Sequence, residues 1–339
     1  MTIRALLRRC EHLCWRSRRA GSPREPASLS VGMHPMTAPK LGEKRPQRLD
    51  PNLRDVAVLV NPMAGTGPAG DVVAELLSSL RRRDFQPRIC VHRTELSELV
   101  EQAGSSLRCV VAAGGDGTLA EVLNRARGIP VAILPIGNEN LVAGYFKQER
   151  SGQRLAATIA EGRLRWIDLA RANGRIFALL ASAGIDADVV HRVHRQRRGH
   201  INRLTWVSPV LHALAFYGYP SIEVEILDTG ERLSGKEVMV FNLPRYAGHF
   251  PIVPNAQPDD GLLDLCVFER GGWRNLLRYM YGMIRRWHAR IPDLHQRQVR
   301  SVRLWAEDPG APLQIDGDPG SRLPVTIEVA PSGLPLVVP

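Results

Sequence analysis

Apolar residues along this chain follow two regimes. Between residues 54 and 165, short unbroken apolar runs alternate with stretches whose apolar positions recur at helical spacing, the pattern of buried parallel strands joined by helices. Val56-Ala57-Val58-Leu59-Val60 precedes a helical pattern over Val72–Leu80, Val110-Val111-Ala112-Ala113 leads into Leu119–Ala126, and Ile129–Leu134 is followed by Leu141-Val142-Ala143. From Trp166 onward short strand-like runs dominate: Phe177–Ala181, Ile222–Leu227, Glu237–Phe241, Leu263–Phe268, Val299–Trp305 and Val325–Val329. The predicted fold class is α/β plus β, a Rossmann-like three-layer domain over 54–165 followed by an antiparallel β-sandwich domain over 166–319. No internal repeat is visible, and no apolar run reaches the ~18 residues of a membrane span.

The strand ends of the first domain carry the chemistry. The second run delivers Gly114-Gly115-Asp116-Gly117-Thr118 directly into a helix. Glycines let backbone N–H groups close on phosphate oxygens while the helix points its positive end at them. Asp116 beside phosphates would hold Mg²⁺, orient a hydroxyl or accept its proton; otherwise it is a helix cap on an ordinary strand-to-helix turn. Asn61-Pro62-Met63-Ala64-Gly65 follows the first strand and Gly137-Asn138-Glu139-Asn140 the third. In a parallel sheet these loops share the carboxyl edge, where ligands bind.

These residues resemble the diacylglycerol kinase catalytic-domain family, which includes bacterial lipid kinases and sphingosine kinases and is related to NAD kinases. The resemblance runs from about residue 54 to the end of the chain. It rests on Asn61-Pro62-x-x-Gly65, Thr94 after the second strand, Gly114 to Thr118, and Gly137 with Asn140, where Asn138 stands in place of the usual threonine. The second half adds Trp166-Ile167-Asp168-Leu169, Ser182-Ala183-Gly184-Ile185-Asp186-Ala187, Asn242, Tyr246-Ala247-Gly248, Pro254-Asn255-Ala256, Asp259-Asp260-Gly261-Leu262-Leu263-Asp264 and Ile315-Asp316-Gly317-Asp318. The resemblance implies an ATP- and Mg²⁺-dependent lipid kinase acting on a diacylglycerol-type or related lipid, with its active site in an interdomain cleft and residues 320–339 returning to the first domain. It implies that Asn61, Pro62, Gly65, Thr94, Gly114 to Thr118, Gly137 and Asn140 hold ATP, and that Asp259, Asp260 and Asp264 form a metal-linked acidic patch. Asp316, with Asp318 where the family has glutamate and with Asp116, would orient or deprotonate the acceptor. Read without the resemblance, Asp316-Gly317 is equally a hairpin turn. A kinase for a soluble acceptor and a non-catalytic nucleotide- or lipid-binding regulator are the competing readings.

Composition adds partners and place. Of 339 residues 44% are hydrophobic, enough for two cored domains. Residues 1–54 hold 12 Lys+Arg and 4 Asp+Glu, so +8 of the net +11 sits there. Residues 1–53 are predicted to be a disordered basic extension, with Met33 and Met36 as alternative starts and an Arg-rich transit leader as another reading; a secretory signal is not expected. The five cysteines show no paired framework and suit a reducing cytoplasm, and Cys10, His12 and Cys14 lack a second ligand pair for metal. From Trp273 to Ile291, Trp273, Leu276, Leu277, Met280, Ile284, Trp287 and Ile291 form a stripe with arginines largely opposite. Either the stripe docks on the second domain's core or it meets a membrane surface. A second basic cluster, His191 to Arg203, suits anionic lipid. Peripheral membrane association is expected, no nucleic-acid partner is, and a homodimer is left open.

Overall fold

The computed structural model describes residues 47–61, 69–196, 203–246, 250, 252–307 and 310–339. The leader to residue 46, Pro62, Gly65, Ala247 and Gly248 lie outside the described residues. Two compact units emerge, one running to Trp166 and taking in Leu334–Pro339, the other spanning Ile167–Gly333.

The first unit contains β1 (Asp55–Val60), α1 (Ala69–Arg81), β2 (Gln86–Cys90), α2 (Arg93–Ala103), β3 (Leu107–Gly114), α3 (Asp116–Arg125), β4 (Val131–Pro135), α4 (Leu141–Tyr145), α5 (Gly152–Glu161) and β5 (Leu164–Ile167). Its sheet has the order β2-β1-β3-β4, then the chain's last strand Leu334–Val337, then β5. The pairs β1/β2, β1/β3 and β3/β4 are parallel. Every residue of β3 is buried, because both faces of the sheet are covered. Val56, Val58, Cys109 and Val111 share a core with Leu76, Leu77 and Ile159 of α1 and α5. The alternate residues Ala57, Leu59, Val110 and Ala112 are buried too, as are Leu96, Leu119 and Val122 of α2 and α3. This is the three-layer arrangement that the apolar runs predict.

The unit begins earlier than residue 54. Leu49 is buried, its N–H bonds Gly162 O at 2.8 Å, and Gln47 O accepts from Leu164 N at 2.9 Å. The C-terminal return is also shorter than 320–339, since only Leu334–Pro339 joins this unit.

The second unit contains β6 (Ala170–Ala172), β7 (Arg175–Phe177), β8 (Leu180–Ala183), α6 (Ile185–Gln196), α7 (Val207–Phe216), β9 (Ile222–Ile226), β10 (Arg232–Gly235), β11 (Glu237–Phe241), β12 (Leu263–Phe268), α8 (Trp273–Ile284), β13 (Leu294–Val299), β14 (Ser301–Ala306), β15 (Pro312–Ile315), β16 (Asp318–Arg322) and β17 (Val325–Val329). They form two six-stranded sheets, β10-β9-β14-β17-β6-β7 and β13-β12-β11-β8-β15-β16. One core joins them, with Phe177, Val224, Val302 and Ile327 from the first sheet and Val240, Leu265, Leu313 and Ile315 from the second. The pairs are antiparallel, so the unit is a β-sandwich.

Two runs read as single strands are each divided. Phe177–Ala181 ends one sheet at Phe177 and starts the other at Leu180. Val299–Trp305 is broken at Arg300, after a strand, Leu294–Val299, whose polar middle His295-Gln296-Arg297-Gln298 hides it from an apolar-run search. Cys90, Cys109 and Cys266 are buried free thiols. No helix among the described residues is long and apolar enough to cross a membrane.

Candidate active site

In the first unit, three strand ends converge at the carboxyl edge of the sheet. Asn61 N bonds Ala113 O at 3.1 Å, which ties the end of β1 to the end of β3. Ile136 and Gly137 both donate to Gly114 O, at 3.1 and 3.2 Å, which ties in the end of β4. Asn61 Nδ2 reaches the buried Thr118 Oγ1 at 3.4 Å. Asn140, left-handed at φ 50°, folds its amide back on Gly137, accepting from Gly137 N at 3.1 Å and donating to Gly137 O at 2.7 Å. Asn61, Gly114, Gly115, Asp116, Gly117, Thr118, Gly137 and Asn140 therefore belong to one loop cluster. Thr94 stands exposed in the first turn of α2, after β2.

The glycines there have different reasons to be glycine. A Cβ on Gly114 would lie 2.0 Å from Thr118 Oγ1, and one on Gly137 would lie 2.4 Å from Gly115 Cα. Both are required by packing. Gly115 is not: its φ of −98° suits any residue, and its Cβ would meet Gly137 Cα at 3.4 Å and Asn140 Oδ1 at 3.8 Å, both ordinary contacts. A glycine that neither backbone nor packing demands fits a ligand that approaches the main chain.

Asp116 does not cap its own helix. Its two oxygens accept from Leu141 N at 2.9 Å and Val142 N at 3.2 Å, so it binds the first turn of α4 to the start of α3. Burial pushes its carboxyl up from the ordinary value, and those two N–H bonds pull it back.

The Asp316 turn in the second unit does more than close a hairpin. Asp316 and Gly317 have φ of 51° and 79°, the two left-handed residues of a tight turn between β15 and β16. The Asp316 carboxylate meanwhile accepts from Ala178 N at 3.0 Å, Leu179 N at 2.9 Å and Leu180 N at 3.0 Å. Those are the residues where the chain crosses from one sheet to the other, so Asp316 is the clamp that divides the Phe177–Ala181 run. Three N–H donors thus fill three of the roughly four lone-pair positions of the Asp316 carboxylate. Asp318, two residues on, is bound by side chains alone, Arg175 Nη2 at 3.4 Å and His194 Nε2 at 3.2 Å, and stays partly exposed.

Of the acidic patch, Asp260 and Asp264 are coupled. Burial, with the Asp260 charge second, raises the Asp264 carboxyl from 3.8 to about 6. Asp259 is exposed, and the described residues contain no group of three His, Cys, Asp or Glu side chains able to hold a metal ion together. The patch is shaped by Asp168, whose Oδ2 accepts from Gly261 N at 2.7 Å. Because the folded protein holds the Asp264 proton more tightly than the unfolded chain, stability should fall as pH rises from about 4 to about 6. In Asp264→Asn that part of the slope should vanish, as followed by melting temperature against pH.

One polar cluster of the second unit combines residues of the sequence motifs with two that carry no motif. Asp186 Oδ1 accepts from Tyr246 Oη at 2.5 Å, and Asp186 Oδ2 from Ser182 Oγ at 2.5 Å and Gln314 Nε2 at 3.0 Å. Glu237 Oε2 accepts from Asp186 N at 3.3 Å, while its Oε1 is shut off from solvent with no hydrogen-bond partner. Burial, then the neighbouring Asp186 charge, pushes the Glu237 carboxyl well above its ordinary value. Glu237 and Gln314 sit in ordinary strand patterns. The one hint was Gly184, at φ 133°, where a Cβ would lie 2.2 Å from Glu237 Oε2.

The chain thus combines a parallel-sheet unit that has a glycine cluster at its carboxyl edge with an antiparallel sandwich unit. The diacylglycerol kinase catalytic domain family model matches residues 55–172, and that of the YegS C-terminal NAD kinase beta sandwich-like domain matches 180–338. A diacylglycerol kinase of Mycobacterium tuberculosis is 27% identical over 296 residues, covering 84% of this chain and 95% of that protein. One from Bacillus subtilis is 24% identical over 288 residues, covering 80% and 92%. Among solved structures, a diacylglycerol kinase from Bacillus anthracis superposes with a TM-score of 0.65 at 20% identity, covering 85% of this chain and 98% of that one. An NAD kinase from Archaeoglobus fulgidus in complex with ATP does so with 0.50 at 14% identity, covering 84% and 93%. The chain belongs to the diacylglycerol kinase catalytic-domain family. It is accordingly a lipid kinase, a phosphotransferase with an alcohol group as acceptor.

Proposed function

We propose that the protein transfers the γ-phosphate of ATP to the hydroxyl of a diacylglycerol-type lipid, working in the cytoplasm as a peripheral protein at a membrane surface. The observation that carries the reading is Gly115, a glycine whose absence of a side chain serves no need of the fold and leaves main chain open to a phosphate at the start of α3. Gly114, Gly117, Thr118, Gly137, Asn140, Asn61 and Thr94 complete the phosphate side, with Pro62 and Gly65 assigned by motif alone. Asp116 is a positioning residue that fixes α3 and α4 to one another. Asp316 shapes the acceptor side by clamping Ala178–Leu180, and Asp318 is the carboxylate that orients or deprotonates the lipid hydroxyl.

Mg²⁺ commonly keeps several waters and needs only one or two carboxylates from the protein. The coupled pair Asp260 and Asp264 fits that requirement, and Asp259 stands by in the same turn. When bound, the ion would neutralise phosphate charge; on the protein's own side it would hold Asp264 deprotonated. Incubation with radiolabelled ATP and a total lipid extract, with the labelled product identified by mass spectrometry, tests the proposal. Label in a lipid phosphate, lost on omitting Mg²⁺, is the expected result. Label on NAD⁺ offered in parallel, or on no acceptor, would overturn it.

A further inference from the structure

Helix α8 is held to the second unit by the face that carries Tyr279 and Met283. Tyr279 and Met283 are buried, and the Tyr279 ring packs edge-on against Phe268 of β12 at 5.0 Å. Its hydroxyl donates to Asp293 Oδ2 at 2.9 Å, and a Cβ at Gly282 would meet Ile291 Cδ1 at 2.6 Å, so the helix lies close on that side. The outward stripe is left uncovered: Trp273, Leu277, Tyr281 and Ile284 are 52%, 55%, 58% and 59% exposed. Their spacing of four, four and three places them on one helical face. Of the stripe read from the sequence, Trp273, Leu277, Met280, Ile284 and Trp287 are exposed, Leu276 is half-buried, and Ile291 alone is buried.

The rim of the stripe is cationic. Residues 270–292 contain six arginines and no Asp or Glu. Arg270 and Arg278 are tied to the buried Asp293. Arg274, Arg285, Arg286 and Arg290 are exposed, with Arg274 over the Trp273 ring at 5.3 Å and Arg285 and Arg290 over Trp287 at 5.0 and 5.7 Å. Apolar side chains between two tryptophans, edged by arginines, match the chemistry of a bilayer interface: acyl chains below, headgroup-level aromatic rings, and anionic phosphates above.

We infer that the outer face of α8, with Trp287, is the surface that inserts into a leaflet containing anionic lipid. The inference rests on the lipid-kinase reading and deepens it by naming how the protein reaches its substrate. Charge argues against two other occupants. In a two-fold pair the exposed arginines would face their own copies. The leader of the chain is itself basic, with 12 Lys+Arg and 4 Asp+Glu in residues 1–54.

The test is co-sedimentation of the full chain with vesicles of phosphatidylcholine, alone or with about one-third phosphatidylglycerol. The variants are Leu277→Ser/Tyr281→Ser/Ile284→Ser and Arg274→Glu/Arg285→Glu/Arg286→Glu. Every substituted residue is exposed, so melting temperatures should hold. The apolar variant should lose at least ~30-fold in vesicle affinity, since three insertions are removed. The arginine variant should lose affinity on the anionic vesicles alone, and the parent should lose the same increment in high salt. Turnover of a monomerically dissolved short-chain diacylglycerol should be equal in all three, while turnover of vesicle-embedded substrate falls in the variants. Vesicle binding equal to the parent's in both variants overturns the inference, and so does a parent dimer that the apolar variant converts to monomer. A parent that phosphorylates no lipid, while the variants still lose vesicle binding, sinks the kinase reading and leaves the surface standing.

Discussion

Asp318→Asn should lower kcat by ~10²- to 10⁴-fold with ATP affinity and melting temperature unchanged, the range expected when a positioned general base is removed. Asp318→Glu should retain activity, since its carboxylate can still swing toward Arg175 and His194. Asp316→Asn should behave differently. An amide has one acceptor oxygen to offer Ala178, Leu179 and Leu180, and its NH₂ group would face an N–H. Leaving buried donors unpaired costs roughly 1–3 kcal/mol each, so a loss of about 3 kcal/mol, or ~6–12 °C in melting temperature for a unit of this size, is the expected result. Activity should fall with the folded fraction and recover on cooling. If instead Asp316→Asn melts like the parent and is inactive, Asp316 is the base and the clamp is incidental.

The second large effect separates two neighbouring glycines. Gly115→Val adds a side chain where a Cβ meets two ordinary contacts, so the fold should survive while ATP binding by calorimetry becomes undetectable. Gly137→Ala, the smaller change, should be the more destabilising: its Cβ would lie 2.4 Å from Gly115 Cα, and backbone cannot yield as a flexible side chain can. Unimpaired ATP binding by Gly115→Val would remove the cradle from this loop.

The unbroken run Val110–Ala113 between glycines and helix-period segments specifies a buried parallel strand, because apolar residues on both faces are stable only in a sheet covered on both sides. The loop cluster was legible for a related reason: Gly114 and Gly137 are residue types demanded by close approach and Asn140 one suited to a left-handed backbone, which local sequence records.

What no local pattern records is which partner a polar group finds. Asp116 in Gly-Asp-Gly reads as a metal ligand, a base or a cap, and only the fold brings Leu141 and Val142 to it, 25 and 26 positions away. Asp316 reads as a turn or a base, and its bonds to Ala178–Leu180 span 136 to 138 positions. Glu237 looks like an ordinary strand residue until the fold buries its carboxyl beside Asp186 and raises its pKa. The direction of α8 was decided in the same way. Periodicity shows that a helix has an apolar stripe, but the Tyr279 ring against Phe268 and the close approach of Gly282 to Ile291 determine which side packs inward, and these leave Trp273, Leu277 and Ile284 outward. Local sequence is enough for the two layered architectures and for the glycine-rich strand ends, because strand burial and glycine geometry are properties of adjacent residues. Tertiary structure alone decided which carboxylates are structural and which face is free, because hydrogen-bond saturation and burial depend on groups that are distant in the chain.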